Sequence, residues 1–167
     1  MIGRYGRGGR AAALKFLLYS LAGGLVMLAG VIGLYVVAPN GRGTFLIENL
    51  AGQLHTSAGV EMALFLSFFA AFAVKAPMVP VHTWLPDAAE VARPGTSTLL
   101  VGGLDKIGTF GMITMSLAIF PGASHRAALP IVIVAVISVL WGGIAAIGQK
   151  DLMRLISFTS VSHFGLM

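Results

Sequence analysis

An all-α, polytopic transmembrane helix bundle with one discontinuous, proline-broken helix is the fold this sequence predicts, and three observations predict it. Hydrophobic residues make up 57% of the 167 and charged residues only 10%, well below the roughly 25% charged of a soluble domain. Apolar windows recur along the chain, each near the roughly 20 residues that cross a bilayer core. Inside the second of them Lys75 is followed at once by Pro77 and Pro80. The chain reads as one membrane domain over 1–167, with spans at 14–37, 58–85 (broken near 76–80), 96–120, 127–147 and 152–167.

The first span follows the basic segment MIGRYGRGGR. Its apolar stretch is longer than the 7–15 residues typical of a signal-peptide core, so it is expected to remain in the membrane. Arg4, Arg7 and Arg10, with a formal net charge of +5, would also suit nucleic acid. Basic residues beside a transmembrane helix more simply mark its cytoplasmic end, and no nucleic-acid partner is expected. Counted over alternate loops, one side carries seven Lys or Arg (Arg4, Arg7, Arg10, Lys15, Arg93, Lys150, Arg154) and the other two, Arg42 and Arg126. The excess places the N-terminus in the cytoplasm. Lys75 and Lys106 remain, both inside predicted spans.

The second span predicts two half-helices. Proline donates no N–H and clashes with the preceding turn, so Pro77 and Pro80 are expected to strip the carbonyls of Ala73 and Ala76 of helical partners. Irregular backbone at that depth is tolerated only when buried in protein or lining a cavity, and free carbonyls at a helix C-terminus favour a cation. Lys75 lies where such a site would form. A charged lysine at mid-bilayer costs roughly 2.5–3.5 kcal/mol on insertion scales, which makes a proton or ion site its default reading. The bland alternative is a lysine that snorkels to the interface; Met78 to Leu85, mostly apolar and carrying the interface-type residue Trp84, argues against it by placing the boundary beyond. Glu61 is fourteen residues earlier, about 21 Å along the axis, and reads as a carboxylate at the outer end. His82 suits either a donor that steadies the break or a relay member, while His55 and His125 read as loop residues.

The third span carries Asp105 and Lys106 at its centre. Adjacent helical residues point about 100° apart, so the two address different neighbours, as relay groups or as structural ion pairs. On a regular helix Thr98, Asp105, Thr109 and Ser116 share one face, and Gly95, Gly102 and Lys106 form a stripe of small residues where another helix could approach. The last segment holds Ser157, Thr159, Ser160, Ser162 and His163. Such hydroxyls commonly cement helices together; His163, which titrates near neutral pH, is either a packing residue or a proton carrier. That segment is too short to span, so the chain is expected to be an interior piece of a larger subunit. With no cysteine, disulfides, thiolate catalysis and cysteine-ligated clusters are excluded. No phosphate loop, metal-ligand cluster or nucleophile is evident, and no cofactor is expected in this chain.

The runs FAVKAPMVPVHTWLPDA (72–88), DKIGTFGMI (105–113) and IGQKDLMRLISFTSVSHFGLM (147–167) closely resemble successive blocks of the antiporter-like membrane subunits of respiratory complex I. PGTSTLLVGGLDKIGTFGM (94–112) is especially similar to actinobacterial versions. The resemblance covers nearly the whole chain from Lys15. It implies a multi-pass protein of a bacterial cell membrane that moves protons through buried titratable groups. Lys75 matches the lysine of the family's broken seventh helix, Lys106 that of the eighth, and His163 the histidine of the tenth. The carboxylate that pairs with the seventh-helix lysine would precede Met1, and the twelfth-helix carboxylate would follow Met167. Asp105 stands where many relatives have an apolar residue and Thr114 where many have arginine, so the local charge balance differs. The partners implied are the lipid bilayer and the other membrane subunits of complex I, with NADH and quinone bound elsewhere in that assembly. A cation/proton antiporter of the Mrp type, or a related membrane hydrogenase subunit, is built on the same fold and carries the same lysines; a truncated product without transport is the reading from another class.

Overall fold

A computed structural model describes residues 8–38, 50 and 56–167, and of Leu104 and Asp105 the backbone alone. Arg4, Arg7, Arg42 and His55 lie outside the described residues, as does the side chain of Asp105. The described residues are helical, without strands: α1 Gly9–Val37, α2 Ala58–Lys75, α3 Trp84–Val91, α4 Pro94–Leu99, α5 Asp105–Gly111, α6 Pro121–Ile147 and α7 Leu152–Leu166. Three of them, α1, α2 and α6, are long and apolar enough to cross a membrane.

Local chemistry accounts for the helix starts. Gly8 precedes α1 in the left-handed region at φ 93°, where a Cβ would be penalised. Asp151 caps α7, its Oδ1 accepting from the amides of Met153 and Arg154 at 2.9 and 3.0 Å, which satisfies donors left over at a helix start. Proline opens α6, the position at which a missing N–H costs nothing. Because α6 begins at Pro121, His125 and Arg126 lie in its first turns and His125 is not a loop residue.

The third predicted span is not one regular helix. Two π-helical segments, Leu100–Leu104 and Met112–Leu117, flank α5. At the second of them the Thr114 hydroxyl donates to the Phe110 carbonyl at 2.7 Å, a back-bond that competes with the α-helical ladder and bends helices. Each π turn widens the helix, so the face drawn at 3.6 residues per turn is not kept. Thr98 is exposed and donates to the Pro94 carbonyl, whereas Ser116 is buried. Among the described residues nothing packs on the glycine stripe: a Cβ on Gly95 or Gly102 would meet no atom within 4 Å.

The core is aromatic. Phe65, Phe68 and Phe72 of α2 pack with Leu34 of α1 and with Phe120, Ala123 and Ala127; Phe120 lies edge-on to Phe65, ring centroids 6.4 Å apart. A second cluster joins Trp84, Leu85 and Ala88 of α3 to Leu100, with Phe16 and Tyr19 of α1 against it.

Candidate functional site

Lys75 is the last residue of α2. The helical ladder stops one residue later, where the Ala76 amide donates to the Phe72 carbonyl at 2.7 Å. Residues 76–83 then form a turn before α3 resumes, so the chain breaks where the two prolines place it. The freed carbonyls find partners of their own. Ala73 accepts from the Met78 amide at 3.3 Å, which corrects the expectation that proline would leave it bare. Val74 accepts from the indole Nε1 of Trp84 at 2.9 Å.

Trp84 therefore has a different place from the one its residue type suggested. It is 2% exposed, inclined against Phe16 at 5.2 Å between ring centroids, and closes the break from inside. From α6, the fully buried Ser138 hydroxyl accepts the Val79 amide at 2.9 Å. Neither role was visible in the sequence; the faint signal for Ser138 was a lone hydroxyl in an apolar helix.

Lys75 is half-buried and Lys106 exposed, and neither has an ion-pair partner among the described residues. Their elements touch. Gly108, two residues after Lys106, lies against the residue that follows Lys75, so close that a Cβ on it would come within 2.5 Å of the Ala76 amide nitrogen and 3.0 Å of the Phe72 carbonyl. Gly111 likewise faces the Phe72 ring. These glycines, rather than Gly95 and Gly102, set the close approach. Alongside runs an apolar cavity of about 160 Å³, lined by Ala76, Met78 and the hydroxyl-bearing Thr109 and Ser116. The buried Ser116 Oγ has no hydrogen-bond partner among the described residues.

The remaining candidates sit apart. His82 is buried beside Phe158, 6.3 Å between ring centroids, and its Nδ1 is unpartnered among the described residues. His163 is exposed on a groove of about 370 Å³ between α6 and α7, with Gly143, Ala146, Thr159 and Ser162. Of the hydroxyls near it only Ser162 bonds across to another helix, donating to the Val139 carbonyl at 3.0 Å; Ser157, Thr159 and Ser160 donate to carbonyls of their own helix. Glu61 has its carboxylate engaged at the start of α6, accepting from the Ala123 amide and from Arg126 Nη2, both at 2.8 Å. Among the described residues no group of His, Asp or Glu is arranged to hold a metal ion.

Residues 2–167 match the family described as NADH:quinone oxidoreductase/Mrp antiporter, transmembrane. NADH-quinone oxidoreductase subunit M of Mycobacterium tuberculosis is 51% identical, over all of this chain and 32% of that protein. The chain thus spans about a third of the length of the curated relatives it matches. Among solved structures, respiratory complex I of Thermus thermophilus with bound NADH aligns at a TM-score of 0.86 and 32% identity, over 97% of this chain and 34% of its counterpart. The Mrp complex of a Dietzia species aligns at 0.84 and 28%, over 99% and 30%. The helices, the broken segment with its lysine and these likenesses agree: the chain is a membrane protein that belongs to the NADH:quinone oxidoreductase/Mrp antiporter transmembrane family.

Proposed function

We propose that this chain is part of a proton-translocating membrane subunit of an NADH:quinone oxidoreductase, and that Lys75, Lys106 and His163 carry its protons. The observation that supports this best is Lys75 itself: a half-buried cation at the end of a broken helix, without a counter-charge among the described residues. An intramembrane ionisable group marks an ion pathway by default. Burial disfavours the charged form of a lysine and a nearby carboxylate favours it, so a partner charge that approaches and withdraws loads and unloads a proton. The neighbouring α5 offers Lys106 as the next acceptor. Asp105 and His82 are support groups in this scheme, whereas Glu61, engaged by Ala123 and Arg126, holds α2 to α6.

In this reading the chain carries no cofactor. NADH and quinone bind to other subunits, which drive the charge movement, and the other membrane subunits are its direct partners. The N-terminus is cytoplasmic, on the strength of the seven-to-two excess of basic residues.

Lys75→Arg tests the reading, because arginine keeps the charge but does not deprotonate in proteins. The variant, in the assembled complex, is expected to lower the protons moved per NADH oxidised. An unchanged ratio would sink the proposal. The likeness to the Dietzia Mrp complex supports a second reading, cation/proton exchange without NADH. Purification of the native complex separates the two: NADH-oxidising subunits co-isolate in the first case and are absent in the second.

A further inference from the structure

Between Pro77 and Pro80 two amides remain, those of Met78 and Val79. Met78 donates back to Ala73 at 3.3 Å, within its own segment. Val79 reaches out of the segment to Ser138 Oγ at 2.9 Å, across 59 residues. The Ser138 hydroxyl proton is committed to the Val134 carbonyl, one turn earlier in α6, also at 2.9 Å. A hydroxyl has one proton and two lone pairs; with the proton spent on α6, a lone pair is left aimed at Val79. Ser138 is fully buried, so its oxygen is shielded from solvent.

We infer that Ser138 is a positioning residue for proton transfer at Lys75, which it serves by pinning the proline-flanked turn to α6 through the Val79 amide. The inference rests on the reading of Lys75 as a proton carrier. Its physical basis is the shortness of the lever. Val79 is four residues from Lys75, and all three intervening positions, 76, 77 and 78, are buried with the turn. A turn released from α6 would let the end of α2 shift relative to Gly108 and α5, against which Ala76 is packed. Without the hydroxyl, the amide of the half-buried Val79 would lose its acceptor, and donors shielded from water are rarely left unpaired. The turn would move to relieve it. Trp84 holds the same break from α3, but through Val74 on the other side of Lys75; the two bonds bracket the lysine.

The test uses the full-length subunit in its assembled complex, as wild type, Ser138→Ala, Ser138→Thr and Lys75→Ala. Three quantities are read: protons moved per NADH oxidised, the pH dependence of that ratio, and hydrogen–deuterium exchange at Val79. Ser138→Ala is expected to speed Val79 exchange about tenfold, the factor that corresponds to 1.4 kcal/mol, to lower the proton ratio and to displace its pH profile. Ser138→Thr, which keeps the hydroxyl, is expected to restore the pH profile even if its extra methyl lowers stability. A Ser138→Ala complex with faster exchange but a wild-type ratio and pH profile would make the bond purely structural and overturn the inference. Rapid Val79 exchange in wild type would overturn it as well. Should Ser138→Ala fail to assemble, Ser138→Cys, close in volume and a much weaker acceptor, is judged by the same readings. Lys75→Ala keeps the two failures apart: unchanged pumping there removes the role of Lys75, whereas loss there with no effect of Ser138→Ala removes only the role of Ser138.

Discussion

At the scale of single residues, Trp84 and Lys75 show how differently two side chains can be read from type alone. Tryptophan near the end of an apolar run suggests the membrane interface, yet Trp84 is buried and gives its indole N–H to the Val74 carbonyl. That carbonyl is next to Lys75 and belongs to the last turn of α2, where carbonyls lack helical partners. Replacing the indole by Trp84→Phe keeps a ring against Phe16 but removes the donor. An acceptor shielded from water and left without a partner costs about 1–3 kcal/mol, so purified protein carrying Trp84→Phe should unfold at a lower temperature than wild type. A wild-type melting temperature would mean that the Val74 carbonyl is satisfied without the indole. Lys75 was legible because its charge conflicts with its surroundings in any conformation. Trp84 was not, because its apolar ring suits an interface and a core alike, and only its bonding partner decides.

Whole elements were legible where backbone chemistry is absolute. Pro77 and Pro80 cannot donate, and α2 ends at Lys75 accordingly. The stretch from Pro94 to Leu117 holds no such signal after its first residue. Its two π segments arise from small preferences, among them the Thr114 hydroxyl on Phe110, and a heptad-like reading of Thr98, Asp105, Thr109 and Ser116 assumed a regularity those turns remove. The consequence falls on α5, which meets the break through Gly108. A methyl there would press on the Ala76 amide nitrogen and the Phe72 carbonyl, backbone atoms that cannot rotate away. Gly108→Ala is therefore expected to destabilise by about 1–3 kcal/mol, the usual range for overpacking, despite the better helix propensity of alanine. Gly102→Ala, which meets nothing within 4 Å, is the matched control and should be neutral or mildly stabilising. Equal melting temperatures for the two variants would contradict the close approach of α5 to α2.

Over the whole molecule, the second half of the broken helix is held by charge as well as by packing. Asp87 of α3 accepts from Lys15 of α1 at 2.7 Å and from Arg154 of α7 at 3.3 Å, and Arg154 also meets Glu90 at 2.6 Å. Lys15 and Arg154 had each been legible as basic residues on one side of the membrane. That both meet Asp87 was not, because partners 72 and 67 residues apart leave no local pattern. Each side chain is about a third exposed, so water screens the attraction and a single bond of this kind contributes up to about 1 kcal/mol. The network nevertheless ties α3 to the first and last described helices, while Ser138 and Trp84 hold the turn before it. Asp87→Asn leaves Arg154 with Glu90 but strands Lys15. The variant should melt below wild type at low ionic strength, and the gap should narrow in roughly 1 M salt, where the screening length falls to about 3 Å. A gap that stays constant with salt would show that Asp87 acts through packing and hydrogen bonding alone. A gap that closes would show that the resumed half of the broken helix is held in register with its neighbours in part by attraction between these charges.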